Sequence, residues 1–94
     1  MNRYRIYLGL SIPNSTIEFD KDDVANHIKT LFDYCTIYQG QGIYKSQSET
    51  TLIIEYITAD NFDAEIKNVC KYLKNRYTQE CVIFTKDITN MEII

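Results

Sequence analysis

The apolar residues of this chain change period along the sequence, from two to about 3.6 and back, twice over. That order of periods restricts the fold more than any single residue does. Over residues 3–12, Tyr4, Ile6, Leu8, Leu10 and Ile12 alternate with Arg3, Arg5, Tyr7, Gly9 and Ser11, a strand with one apolar and one mixed face. Pro13-Asn14-Ser15 ends it, because proline donates nothing to a ladder and its neighbours favour turns. Residues 20–35 then place Val24, Ile28, Leu31, Phe32 and Cys35 on one helical stripe. Asp20 is the expected N-cap, Asp22 and Asp23 suit the positive end of the helix, and Phe19 is placed to pack on Val24.

Alternation returns over residues 36–45, with Tyr38, Gly40, Gly42 and Tyr44 facing one way and Ile37, Gln39, Gln41 and Ile43 the other. Residues 46–49 read as a polar hairpin loop. Residues 50–57 read as a third strand whose Leu52-Ile53-Ile54 run suits a central position covered on both sides. A second helix over 61–77 gathers Phe62, Ile66, Val69, Cys70, Leu73 and Tyr77, with Asp60 or Asn61 as cap and Lys71, Lys74 and Arg76 toward its end. Residues 81–85 form a short last strand. Residues 86–94 form a tail whose apolar end, Met91-Glu92-Ile93-Ile94, is expected to dock on a partner protomer.

The resulting β-α-β-β-α-β order, with right-handed crossovers, predicts an α+β, ferredoxin-like fold. Its four-stranded antiparallel sheet carries two helices on one face, in a single domain spanning residues 1–94. Such a sheet leaves its other face open. Arg5, Tyr7 and Gly9 belong there, joined by Tyr38 and Tyr44 or by Gln39 and Gln41, and by Ile53, Glu55 and Ile57 or by Leu52, Ile54 and Tyr56. An apolar patch of that extent is seldom left in water, and a second copy is the commonest cover, so a homodimer or higher oligomer is expected.

Composition narrows the function classes. No apolar run approaches the roughly 18 residues of a membrane span, and the N-terminal residues lack a signal peptide's apolar stretch, so no membrane contact is expected, while reduced cysteines point to the cytoplasm. A net charge of −3 argues against nucleic acid as a partner. Cys35, Cys70 and Cys81 are odd in number and widely spaced, which suits reduced structural thiols better than disulfides or zinc. Asp20, Asp22 and Asp23 lack the spacing of a calcium loop, and His27 has no second histidine and no nucleophile at a recognisable elbow. No catalytic residue, metal or cofactor is therefore assigned.

The stretch Gln39-Gly40-Gln41-Gly42 stands apart. Amides donate and accept together and glycine allows close approach, which suits recognition of a nucleobase edge or a ribose, with Tyr38 and Tyr44 alongside. It is not a phosphate loop, having no Gly-Lys-Ser/Thr after it. Arg3, Arg5 and Lys45 can supply positive charge beside the aromatics. The candidate ligand-binding set is thus Arg5, Tyr7, Tyr38, Gln39, Gln41, Tyr44 and Lys45.

Several short motifs resemble a family of small domains of unknown function found in bacteria and mobile elements. They are Tyr7-Leu8-Gly9-Leu10 followed by Pro13, the run from Thr36 through Gly40 and Gly42 to Tyr44-Lys45, Glu49 opening strand three, and Gln79-Glu80-Cys81-Val82. The family's Phe-Pro-aspartate-Gly is replaced here by Phe32-Asp33-Tyr34-Cys35. The resemblance implies the ferredoxin-like fold and no chemistry. The expected function is a non-enzymatic, homo-oligomeric protein that sequesters a small anionic, nucleotide-like ligand. A composition rich in Ile, Asn, Lys, Tyr and Thr suggests a phage- or plasmid-encoded counter-defence role. The alternatives are an inhibitor of a host defence complex acting through an acidic, tyrosine-rich surface, and a small dimeric ferredoxin-like enzyme.

Overall fold

A computed structural model describes residues 1–94. Strand β1 (Asn2–Gly9) buries Tyr4, Ile6 and Leu8 to within 1% of complete burial, as the alternation requires. Helix α1 (Lys21–Ile28), strand β2 (Thr36–Tyr44), strand β3 (Gln47–Thr58), helix α2 (Asp63–Arg76) and strand β4 (Ile83–Ile88) follow, in the β-α-β-β-α-β order. The strands form one antiparallel sheet in the order β2-β3-β1-β4. The core joins Tyr4, Ile6, Leu8, Leu10, Leu52, Ile54 and Tyr56 of the sheet side to Val24 and Ile28 of α1 and Ile66, Cys70 and Leu73 of α2. Each such aliphatic side chain withdrawn from water contributes about 1.5–3 kcal/mol before the entropy of ordering it is counted.

Tyr4 shows how the sheet fixes the second helix. Its buried hydroxyl donates to Asp63 Oδ1 at 2.5 Å and accepts from the Phe62 amide at 3.0 Å, holding the first turn of α2. Lys86 of β4 donates to the same carboxylate at 2.9 Å. These two partners keep the Asp63 carboxyl below its usual range, while burial pushes the Tyr4 hydroxyl up. No helix is long and apolar enough to cross a membrane.

Several boundaries differ from those expected. Helix α1 stops at Ile28 and not at Cys35, because the Thr30 and Leu31 amides bond to His27 and Ile28 three residues back, and the Thr30 hydroxyl takes the His27 carbonyl at 2.7 Å. Leu31, Phe32 and Cys35 still pack on the core from the connection that follows. Asp20 caps α1 as expected, accepting from the Asp22 and Asp23 amides. Phe62, with no side-chain bond, stands at the start of α2, and Asn61 only braces the Asp63 amide. β1 ends at Gly9, with Ser11 making a single bridge to Glu18, and β4 runs to Ile88, taking three residues from the expected tail.

The β2–β3 connection differs most. The loop is two residues, Lys45 and Ser46, both with positive φ (50° and 63°), so Gln47, Ser48 and Glu49 belong to β3. Positive φ at both positions twists the chain as the paired strands require. The register that results sets Tyr38 opposite Ile53, Gly40 opposite Thr51 and Gly42 opposite Glu49. Tyr38 and Tyr44 therefore share the open face with Arg5 and Tyr7, and Ile53, Glu55 and Ile57 do too. Leu52, Ile54 and Tyr56 lie under the helices. No helix covers Ile53 on the open face, yet it is only 7% exposed, with its Cδ1 leaning over Gly40.

Candidate functional site

Three glycines occur in the chain, and all three lie on the open face around three side chains of β3. A Cβ on Gly9 would stand 2.4 Å from Glu49 Oε1, and one on Gly42 would stand 2.5 Å from Thr51 Oγ1. One on Gly40 would stand 3.1 Å from the Ile53 side chain. None of the three adopts a positive φ, so the lack of a side chain serves space and not backbone conformation. The bare backbones of β1 and β2 make a trough in which the Glu49 carboxylate lies flat, accepting the Ser11 amide at 3.1 Å.

Walls rise from this floor. Tyr7 and Ile83 are neighbours across β1 and β4, and Tyr44 closes the hairpin end. The segment after α2 supplies Gln79, Glu80 and Cys81, and the turn after β1 supplies Pro13, Asn14 and Ser15. Together they enclose a cleft of about 500 Å³. Gln79 ties its two loops together, its Nε2 donating to the Ser11 carbonyl at 3.0 Å and the Tyr77 carbonyl at 2.9 Å.

The charges divide unevenly. Lys45 is committed, its Nζ 3.4 Å from Glu80 and 5.4 Å from the centre of the Tyr44 ring. The Tyr44 hydroxyl also donates to Glu80. The Tyr44 and Lys45 donors hold the Glu80 carboxyl below its usual range, and the bond to Glu80 pushes the Tyr44 hydroxyl up. No basic side chain is within salt-bridge distance of Glu49. A carboxylate without a counter-ion in the lining of a cleft that also holds Tyr7 and Tyr44 attracts a cation.

The structure separates the residues singled out in the sequence. Tyr7, Tyr44 and Lys45 line the cleft. Tyr38 is on the same cross-sheet row as Tyr7, two strands away and outside the lining. Arg5 is at the other end of the open face, 3.9 Å from Glu55 and 4.0 Å from Asp87, beside an Arg3 that grips Asp87 through two bonds of 2.9 and 2.7 Å. Gln39 and Gln41 point to the helix side, where they line a polar trough beneath Glu18, and Lys21 reaches Gln39 at 3.3 Å.

Glu49, Thr51, Gln79 and Glu80 were not in that set. Glu49, Gln79 and Glu80, though not Thr51, stand in the short motifs singled out in the sequence, and Tyr7, Gly9, Pro13 and Tyr44 of those motifs line the same cleft. His27 is not part of its lining. Its ring spans the helices, Nδ1 meeting the Tyr77 hydroxyl and Nε2 the Tyr72 hydroxyl, both at 2.7 Å.

No protein-family model matches the chain, and no curated protein matches it. Among solved structures it is similar to a phage SAM lyase in the apo state, with a TM-score of 0.76 and 18% identity, over 92% of this chain and 78% of that one. At that identity the likeness is one of fold, and it is the fold of a phage protein.

Proposed function

We propose that the cleft binds S-adenosylmethionine, the sulfonium nucleoside in the name of the fold neighbour, and that the protein breaks it down as a lyase. The observation that carries this reading is the unpaired Glu49 carboxylate laid on bare glycine backbone between tyrosines. A sulfonium is a fixed cation that no proton transfer can neutralise. It is held by carboxylate oxygens and by the faces of aromatic rings, both of which the cleft offers. Tyr7 or Tyr44 suits stacking on adenine, and the Thr51 hydroxyl and Gln79 suit the ribose.

This differs from the anionic ligand expected on sequence grounds. The lysine and one arginine counted toward that ligand are engaged with Glu80 and Asp87, and the cleft retains a net acidic lining. A lyase reaction within the ligand needs no protein nucleophile, so the engagement of His27 with Tyr72 and Tyr77 does not count against turnover. The role given to Glu49 is binding and orientation. Stabilising a cation does not by itself hasten the step that removes its charge.

Titration calorimetry with S-adenosylmethionine and with the uncharged S-adenosylhomocysteine tests the reading. Preference for the sulfonium by about tenfold or more is expected, and Glu49→Gln should abolish it, a difference of about 1.4 kcal/mol. Equal affinity for the two ligands, or none for either, would refute it. Chromatography of the sulfonium after incubation with catalytic protein then separates turnover from stoichiometric holding, in which heating returns it intact. A phage counter-defence role fits either outcome, since both lower the free sulfonium available to a host.

A further inference from the structure

We propose that β2 is the seam of a homodimer, in which two copies pair antiparallel about Gly40 into one continuous eight-stranded sheet. The two edges of the sheet, β2 and β4, are built differently. β4 carries Lys86 and Asp87, held at 2.9 Å to Asp63 and 2.7 Å to Arg3. Charges on an edge keep a foreign strand away. β2 is nine residues long and contains no charge and no proline. An edge of that length and composition is a template for another strand unless something covers it.

The order of residues within β2 selects a second copy as the cover. Read outward from Gly40, the strand is close to a mirror, with Gln39 and Gln41 flanking the centre and Ile37 and Ile43 further out. Two-fold antiparallel pairing at Gly40 sets Gln39 against Gln41, Ile37 against Ile43, Tyr38 against Gly42 and Thr36 against Tyr44. Amide meets amide, aliphatic meets aliphatic on the same face, and a tyrosine covers a glycine that has no side chain of its own. All nine residues are used and no like charges meet. Ile43, 75% exposed in the single chain, gains an apolar neighbour. A contact of this kind closes on itself and leaves no template free. It also gives Gln39 and Gln41 a part outside the cleft, and it stands whether or not the cleft takes a sulfonium.

Light scattering on the full chain is expected to return twice 11.1 kDa. Gln39→Glu/Gln41→Glu alters only exposed side chains and sets like charges across the seam, and it should weaken the dimer by about tenfold or more. Gln39→Glu/Gln41→Lys sets opposite charges there and should restore it, with circular dichroism checking the fold of both. Hydrogen exchange on the unaltered protein needs no variant, and amides on both sides of β2 should be protected. A monomer, any copy number other than two, a dimer indifferent to the paired glutamates, or free exchange at every second β2 amide would overturn the proposal.

Discussion

Gly9→Ala separates the stability of the sheet from the use of the cleft. Gly9 has no positive φ, so alanine fits the backbone of β1, and the exchange should favour a strand by about 0.5–1 kcal/mol. Its Cβ would stand 2.4, 2.7 and 2.8 Å from Oε1, Cδ and Oε2 of Glu49, where no carbon can sit. The Glu49 carboxylate is the end of a flexible side chain and can swing away, but it then leaves the Ser11 amide it holds at 3.1 Å. A hydrogen bond to a charged group is worth about 1.5–3 kcal/mol, and here water can reach the freed amide, so the lower figure applies. The balance is a loss of about 1 kcal/mol or less, a fall in melting temperature of no more than about 4–8 °C for a domain of this size. Binding should suffer far more. With its counter-charge turned out of the trough, the cleft should lose affinity for S-adenosylmethionine by about tenfold or more, as Glu49→Gln does. Urea titration and calorimetry on the two variants give both numbers. Unchanged affinity in Gly9→Ala would refute the placing of the ligand on Glu49. A stability loss above about 3 kcal/mol would refute the argument that Glu49 is free to move.

His27→Ala removes the partner of the Tyr77 hydroxyl, on a residue only 4% exposed, and should cost about 1–2 kcal/mol in urea titration while leaving ligand binding unchanged. Acid should weaken the fold through Asp63, Glu80 and Asp87, whose carboxyls are all held below their usual ranges. That stabilisation is present above the ordinary carboxylate range and is lost as pH falls through the lowered values, so melting temperature should drop below about pH 4, and less steeply in Asp63→Asn. Burial pushes the Cys70 thiol up to about 11, so at pH 8 a thiol reagent should label exposed Cys81 first and Cys70 only on unfolding. The same shift means that Cys70 adds stability below about pH 9, lost as pH rises toward 11, and Cys70→Ala should flatten that decline.

The period of the apolar residues made the fold legible, because burial under two helices imposes the same alternation on Tyr4, Ile6 and Leu8 whatever surrounds them. It was less informative about where α1 ends. Leu31, Phe32 and Cys35 have helical spacing and do pack on the core, but from a connection that backbone bonds to His27 and Ile28 have already turned out of the helix. The site was lost at the hairpin. Lys45-Ser46 lacks the glycine or asparagine that advertises a two-residue turn with positive φ, so a four-residue loop looked more natural. That reading takes Glu49 out of β3 and away from Gly9 and Gly42, where its carboxylate organises the cleft. The glycines themselves were visible. What they make room for depends on register, which no local pattern in β2 specifies, since Tyr38 and Gln39 are equally plausible on either face.

The same pairing bears on the charge that the cleft presents to a ligand. Arg3, Arg5 and Lys45 look available in the sequence because their partners, Asp87, Glu55 and Glu80, are 35 to 84 residues away along the chain. Folding brings each pair together: Arg3 meets Asp87 across the β1–β4 ladder, Arg5 meets Glu55 across β1–β3, and Lys45 meets Glu80 over the hairpin end. A ligand feels only the charge that internal pairing leaves over. In the cleft that remainder is Glu49, fixed by one amide and flanked by backbone without side chains. Recruiting an anion there would require breaking the Lys45–Glu80 pair and placing like charges together, whereas a cation meets a site already arranged for it. On the proposed reading the sign of the ligand follows from strand register, two steps removed from composition, and Glu49→Lys should then turn the preference from sulfonium to carboxylate nucleosides in calorimetry.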